Sequence, residues 1–188
     1  MKSERDKYIL KEEYHQFIKH CPEPYKLFWK VMFNAGLRIS EGLAISVSDI
    51  MYQENKIVIT TLKRKDNPRI PIIIPSELIV ELKQYIMYRC IAGKLFNFSR
   101  QFAWKMFKQV CVKAGLNSKY SPHAFRHGHG IMIADLTNGN MIAIKNRLRH
   151  SSTHSTEFYV HLSEKKQQEL ALQIDDYLKG GAVSNENN

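Results

Sequence analysis

Lys56-Ile57-Val58-Ile59-Thr60-Thr61 and, eight residues after Thr61, Arg69-Ile70-Pro71-Ile72-Ile73-Ile74 are the two runs that decide the fold. Elsewhere apolar residues recur at a helical period. Here they are nearly continuous and β-branched, which suits a pleated, half-buried surface better than a helix. The stretch between them, 63–68, is polar and turn-rich, so the two runs read as a hairpin. Pro71 cannot donate to a ladder, which places its strand at a sheet edge. Residues 52–53 can supply a third, shorter strand. The sheet is small and the rest of the chain is helical. The expected class is α+β, mainly α-helical with a small three-stranded antiparallel sheet.

Working outward from the hairpin, the helical segments are bounded by ordinary stop and start signals. Residues 10–20 form an amphipathic helix with Tyr14, Phe17 and Ile18 on one side. Residues 22–35 form a second, with Leu27, Phe28, Val31 and Met32 inward, and Gly36 ends it. A short helix spans 39–45. Beyond Pro75, Ser76 and Glu77 open a helix to about residue 90. Residues 99–114 follow, stopped by Gly115, then 122–136 and 141–149. A short turn near 156–160 and a last helix over 164–178 complete the chain, with 180–188 expected to be disordered.

The chain has 188 residues, with 28 Lys and Arg against 18 Asp and Glu, a net charge of +10. The excess is concentrated: residues 164–188 carry −2 and the first 163 carry +12. A basic body with a mildly acidic tail points to a polyanionic partner, most often nucleic acid. No stretch reaches the roughly 18 apolar residues of a membrane helix, and the N-terminus is polar and mixed in charge, unlike a signal peptide. Cys21, Cys90 and Cys111 are odd in number and far apart, so they read as reduced thiols of a cytoplasmic protein rather than a disulfide frame or zinc site.

Four short motifs stand out, each common on any solvated surface when taken alone. Gly36-Leu37-Arg38-Ile39-Ser40-Glu41 places an arginine at a helix start with a carboxylate one turn on. Lys63-Arg64-Lys65-Asp66-Asn67 is a basic hairpin tip shaped to enter a DNA groove. His123-Ala124-Phe125-Arg126 puts a proton-shuttling group and a cation on one helix face while Phe125 anchors the helix in the core. His127 and His129 follow without carboxylate or cysteine company at metal spacing, and read as structural or solvent-facing. Leu148-Arg149-His150-Ser151-Ser152 precedes Tyr159, nine residues past His150.

The order is more specific than the parts. Arg38, Lys63, His123 with Arg126, His150 and Tyr159 follow one another at intervals of about 25, 60, 24 and 9 residues. From about residue 10 to 163 the chain closely resembles the catalytic domain of the tyrosine recombinases, the phage integrase family. The family's Gly-Leu-Arg-x-Ser-Glu stands at Gly36 to Glu41, followed by Asp49-Ile50. Its His-x-x-Arg-His stands at His123 to His127, and its Leu-Gly-His-Ser-Ser at Leu148 to Ser152, with the tyrosine at Tyr159. Two positions depart from the pattern: Ala124 where Leu is common, and Arg149 where Gly is usual. The second adds a cation beside His150 and bears on the local backbone.

The resemblance implies DNA strand exchange through a covalent 3′-phosphotyrosine, with no ATP, no metal and no other cofactor. Arg38 and Arg126 would hold the phosphate oxygens with guanidinium forks. Tyr159 would be the nucleophile and His123 the base in cleavage and acid in religation. His150 would donate a hydrogen bond to the phosphate, and Glu41 would orient Arg38. Lys63 would protonate the 5′-oxygen, since it lies six residues before Arg69-Ile70-Pro71, a spacing often seen in the family; Lys65 is the alternative. Arg64, Lys65, Arg69, His127 and Arg149 complete the expected DNA-facing set. The expected partner is double-stranded DNA, bound by a monomer that becomes a tetramer on it, in the cytoplasm and away from membranes.

The expected organisation is a catalytic domain over 1–163, a C-terminal helix over 164–179 that can dock on a neighbouring protomer, and a tail over 180–188. Most family members carry an N-terminal core-binding domain, and only about nine residues precede the first helix here, so that domain is either removed or naturally absent. Three other readings compete: a type IB topoisomerase, a non-catalytic DNA-binding regulator on the same fold, and a helix-turn-helix repressor. The last has no use for the hairpin or Tyr159.

Overall fold

The computed structural model describes residues 7–61, 67–150, 171–172 and 174–175. Seven helices are described in full: α1 Lys11–His20, α2 Tyr25–Asn34, α3 Ile39–Ala44, α4 Ser76–Arg89, α5 Arg100–Lys113, α6 His123–Leu136 and α7 Met141–Leu148. Between α3 and α4 lies a three-stranded antiparallel sheet in the order β1 Ile50–Met51, β2 Lys56–Thr60, β3 Arg69–Ile73. Each helix lies within a few residues of its expected bounds, because the apolar period and the flanking turn residues both mark it. The third strand is corrected. Residues 52–53 belong to a 3-10 turn over Tyr52–Glu54, and the strand is two residues earlier, where Ile50 pairs with Ile57 and Met51 with Lys56. The turn, closed by Asn55 in the left-handed region, uses up residues that a longer strand would have needed.

The hairpin register pairs Ile57 with Ile72 and Thr60 with Arg69, so Ile57, Ile59 and Ile72 face the core and their neighbours face out. β3, with Pro71, is at the edge, as its missing N–H requires. The tip, including Lys63, Arg64 and Lys65, lies outside the described residues, as do Tyr159, the expected turn at 156–160 and most of the expected last helix. Ala171, Leu172, Ile174 and Asp175 of that helix are helical.

The core is aromatic. Phe17 of α1 meets Trp29 of α2, Phe107 of α5 and Phe125 of α6 at ring-centroid distances of 5.7, 5.0 and 4.8 Å, mostly edge to face. Phe125 therefore fastens α6 at its first turn, which fixes where His123 and Arg126 emerge. Gly128, one turn on, permits the close pass of the segment before α1: a Cβ there would sit 2.2 Å from the Ile9 carbonyl oxygen. Cys21 and Cys111 are buried free thiols whose pKa values burial pushes up to about 12, and Cys90 is exposed.

Candidate active site

The site is built from three helix boundaries. At the first, α2 ends in a left-handed Gly36, φ +57°, with the Leu37 amide donating back to the Met32 carbonyl at 3.0 Å. A side chain cannot replace this glycine cheaply, since its Cβ would lie 2.5 Å from the His129 ring. The sharp exit leaves Arg38 as the residue before α3, in an extended conformation. The second boundary is the start of α6, where His123 is exposed at the first turn and Arg126 is 1% exposed one turn further in. The third is the end of α7. Arg149 there is left-handed, φ +55°, and the His150 amide donates to the Lys145 carbonyl at 3.0 Å.

Glu41 sits where the three meet. It is 1% exposed and holds three guanidiniums. The Arg38 amide donates to its Oε2 at 2.9 Å and Arg38 Nη1 to its Oε1 at 2.7 Å. Arg149 Nη2 donates to Oε2 at 3.2 Å, and Arg126 Nη1 lies 3.8 Å from Oε2. Burial pushes the Glu41 pKa up, but the Arg38 amide, the Arg149 charge, the Arg38 guanidinium and the Arg126 charge together hold it below the usual carboxylate value. One carboxylate against three arginines leaves a strongly positive cluster.

Arg126 also donates to the Gly36 carbonyl at 2.7 Å and to the Leu148 carbonyl. It therefore bridges the first and third boundaries. Arg38 and His123 line one cavity of about 380 Å³, together with Arg100 and Trp104 from α5. Burial first, then the charges of Arg126, Arg38, Arg149 and His123, lower the His150 pKa to about 4. His150 is thus neutral near pH 7 and still carries one ring N–H to donate.

Arg149 is a correction. Its expected place was on the DNA-facing surface, but it is 5% exposed and its guanidinium turns inward, donating to the carbonyls of Ala35, Gly36 and Arg147 and to Glu41. The physical reason is the left-handed backbone at the end of α7, which aims the side chain under the site. His127 is half-buried, its ring 4.6 Å from that of His123 and edge-on to it. Burial, then His123, Arg126, His150 and Lys7, lower its pKa to about 3. Arg69 is on the surface, with its guanidinium 2.5 Å from an Asp49 oxygen.

Arg147, Arg100 and Trp104 carry no role in the sequence reading and matter here, as does His129, which is structural and not solvent-facing. Arg147 donates to the Ile73 and Asn34 carbonyls at 2.9 and 2.8 Å and to His129 Nε2 at 3.3 Å, stapling α7 to β3, to the end of α2 and to α6. His129 is buried and must be neutral to accept; burial, then Arg147, Arg149 and Arg126, lower its pKa to about 3. Arg100 and Trp104, the latter half exposed, had a signal in an exposed aromatic among cations on one helix face.

This architecture is the catalytic-domain fold of the tyrosine recombinases. The model of the phage integrase family matches residues 7–166, and the chain belongs to that family. It is 28% identical over 156 residues to the tyrosine recombinase XerD of Proteus mirabilis, covering 75% of this chain and 48% of that protein. It is 27% identical over 205 residues to the ICEBs1 integrase of Bacillus subtilis, covering 89% and 54%. The chain thus spans about half the length of these relatives. Among solved structures, the catalytic domain of bacteriophage HP1 integrase has a TM-score of 0.67 at 20% identity, covering 96% of this chain and 98% of that one. Among the described residues, no helix is long and apolar enough to cross a membrane.

Proposed function

We propose that the chain is the catalytic unit of a site-specific DNA recombinase that cleaves and rejoins strands through a covalent 3′-phosphotyrosine. The observation that carries this reading is the convergence on one buried carboxylate of Arg38 and Arg126, 88 residues apart in sequence, beside His123 and His150. Fixed guanidiniums that outnumber the carboxylate holding them are what a phosphodiester needs as charge builds on its nonbridging oxygens. The names of the relatives, a tyrosine recombinase and an integrase, support the same reading.

In this reading the Tyr159 hydroxyl attacks phosphorus and gives its proton to His123. The bond from phosphorus to the 5′-oxygen breaks, and Lys63 protonates that oxygen. Arg38, Arg126 and the ring N–H of His150 hold the phosphate. The reverse sequence, with another strand's 5′-hydroxyl as nucleophile, rejoins DNA. The phosphotyrosine keeps the energy of the broken bond, so no nucleotide is consumed, and the arginines supply the charge a metal would supply. Four protomers acting on two paired duplexes fit the tetramer expected from the family.

The test uses suicide duplexes, nicked so that the cleaved strand is lost, with a randomised core from which the protein selects its own site by covalent capture. A protein–DNA band on a denaturing gel from the wild type, absent from Tyr159→Phe with DNA affinity retained, is the expected result. An adduct from Tyr159→Phe defeats the assignment. No adduct from any duplex defeats the enzyme reading in favour of a DNA-binding regulator.

A further inference from the structure

The end of α7 is built in a way that its backbone alone does not explain. Arg149 has φ +55° and ψ +40°, a conformation that glycine adopts without the crowding a Cβ brings. The turn closes through backbone bonds alone, Arg149 N–H to the Asn146 carbonyl at 3.2 Å and His150 N–H to the Lys145 carbonyl at 3.0 Å. Glycine would serve that turn with less strain and without burying a charge. What Arg149 adds is the side chain, and its contacts lie across the site: Ala35 O at 3.2 Å, Gly36 O at 2.9 Å and Glu41 Oε2 at 3.2 Å, besides its neighbour Arg147 O at 3.0 Å.

Two of those acceptors are shared with the arginines assigned to the phosphate. Gly36 O also receives Arg126 Nη1 at 2.7 Å, and Glu41 also receives Arg38. The guanidinium therefore ties the residue before His150 to the turn that carries Arg38. It also changes the local charge. Without Arg149, Glu41 would offset half the charge of Arg38 and Arg126. With it, the buried cluster keeps a surplus equal to two full guanidiniums, within a region where water screens little.

We propose that Arg149 is a positioning residue: it braces the Gly36–Glu41 turn against the His150 backbone and balances Glu41, so that Arg38 and Arg126 present undiminished charge to the scissile phosphate. The inference rests on the recombinase reading for its catalytic consequence and on the geometry for the brace. It makes a specific prediction about glycine at this position. Arg149→Gly relieves the backbone, so a purely structural side chain would be replaced without a change in the chemical step.

The experiment compares wild type, Arg149→Gly, Arg149→Ala and Arg149→Lys on a captured suicide duplex at saturating DNA under single-turnover conditions. Burst amplitude reports the folded, active fraction, and the rate constant reports positioning. The expected result is a rate constant at least tenfold lower in Arg149→Gly and Arg149→Ala, DNA affinity within about twofold of wild type, and partial recovery in Arg149→Lys. A wild-type rate constant in Arg149→Gly overturns the proposal, as does a loss confined to amplitude. Weakened DNA affinity with an unchanged rate also overturns it, and makes Arg149 a DNA contact. Amide hydrogen exchange without DNA separates the brace from the recombinase reading. Arg149→Gly should speed exchange at Arg38 and His150 and leave β2 unchanged. If the wild type forms no adduct, the recombinase reading fails and the exchange data decide the brace: unchanged protection at Arg38 and His150 overturns it.

Discussion

Arg38 and Glu41 are joined twice: the Arg38 backbone N–H donates to one carboxylate oxygen at 2.9 Å and its guanidinium to the other at 2.7 Å. The first bond caps α3 and the second aims the side chain, so one carboxylate fixes both the helix start and the direction of the charge. Since the carboxylate is 1% exposed and the Arg38 side chain 19%, the pair forms a buried root with a partly exposed head facing the cavity.

Neutralising that root should be costly. Glu41→Gln keeps the shape but leaves three guanidiniums around a neutral amide, and loss of one partner of a buried ion pair typically costs about 3–5 kcal/mol. Urea unfolding at pH 7 should show a loss of that order. The wild-type pH dependence follows from the lowered pKa of Glu41: its contribution is complete above the unfolded carboxylate value of about 4.3 and is lost as pH falls through the lower folded value. Glu41→Gln should lack this part of the acid limb. A variant as stable as wild type, with the same acid limb, would remove Glu41 from the centre of the site.

The two arginines proposed to hold the phosphate should not behave alike. Arg38 is partly exposed, whereas Arg126 is 1% exposed and holds the Gly36 and Leu148 carbonyls. Arg38→Ala should lower the cleavage rate constant by roughly 10²–10³-fold, as for other preorganised charge stabilisers, with a small change in stability. Arg126→Ala should lose cleavage and stability together, since two buried carbonyls lose a donor and Glu41 loses a charge partner. Equal thermal shifts for the two variants would contradict this division, and near-normal cleavage by both would refute the clamp.

Much of this was legible in sequence. The helices follow their apolar period, and Gly36 announces the turn that aims Arg38. The β-branched runs locate β2 and β3. What sequence could not supply is direction. In sequence Arg149 looks like a surface cation beside a candidate active histidine, and only the left-handed backbone reverses it; an L-residue at a helix end where the family pattern usually has glycine is the available signal. The first strand was misplaced for a related reason. A two-residue strand has almost no pattern of its own, and its position is set by pairing with Ile57 and Lys56. Arg147 gives no hint in sequence that it spans α2, β3 and α6, because two of its three acceptors are backbone carbonyls.

Buried neutral histidines should make the fold sensitive to mild acid. His129 titrates at about 3 in the folded state against about 6.5 unfolded, because burial and then Arg147 oppose its charge. The unfolded chain binds the proton first, so stability is complete above about pH 6.5 and falls as pH drops toward 3, by at most ~1.4 kcal/mol per pH unit for this histidine. His129→Gln can still accept from Arg147 and does not titrate. Its urea midpoint should therefore fall less steeply than that of wild type between pH 6.5 and 4.5. The same slope in both proteins would show that His129 already binds its proton in the fold.

The leaving-group proton separates Lys63 from Lys65. Both lie in the basic tip between β2 and β3, outside the described residues, and the proposed mechanism calls on one of them. A substrate with sulfur in the 5′-bridging position releases a thiolate that needs no proton, so the variant lacking the true acid should recover on it. Recovery should be selective, because Arg38→Ala lacks charge on the nonbridging oxygens and gains nothing from a better leaving group. The expected pattern is slow cleavage of ordinary DNA by Lys63→Ala, near-wild-type cleavage of the thio substrate by the same variant, and no rescue of Arg38→Ala. Thr60 pairs with Arg69 and the Thr61 amide donates to the Pro68 carbonyl at 3.0 Å, which closes the base of the tip two residues before Lys63. Rescue of Lys65→Ala but not Lys63→Ala would move the role two residues along the tip, and rescue of neither would place the acid elsewhere.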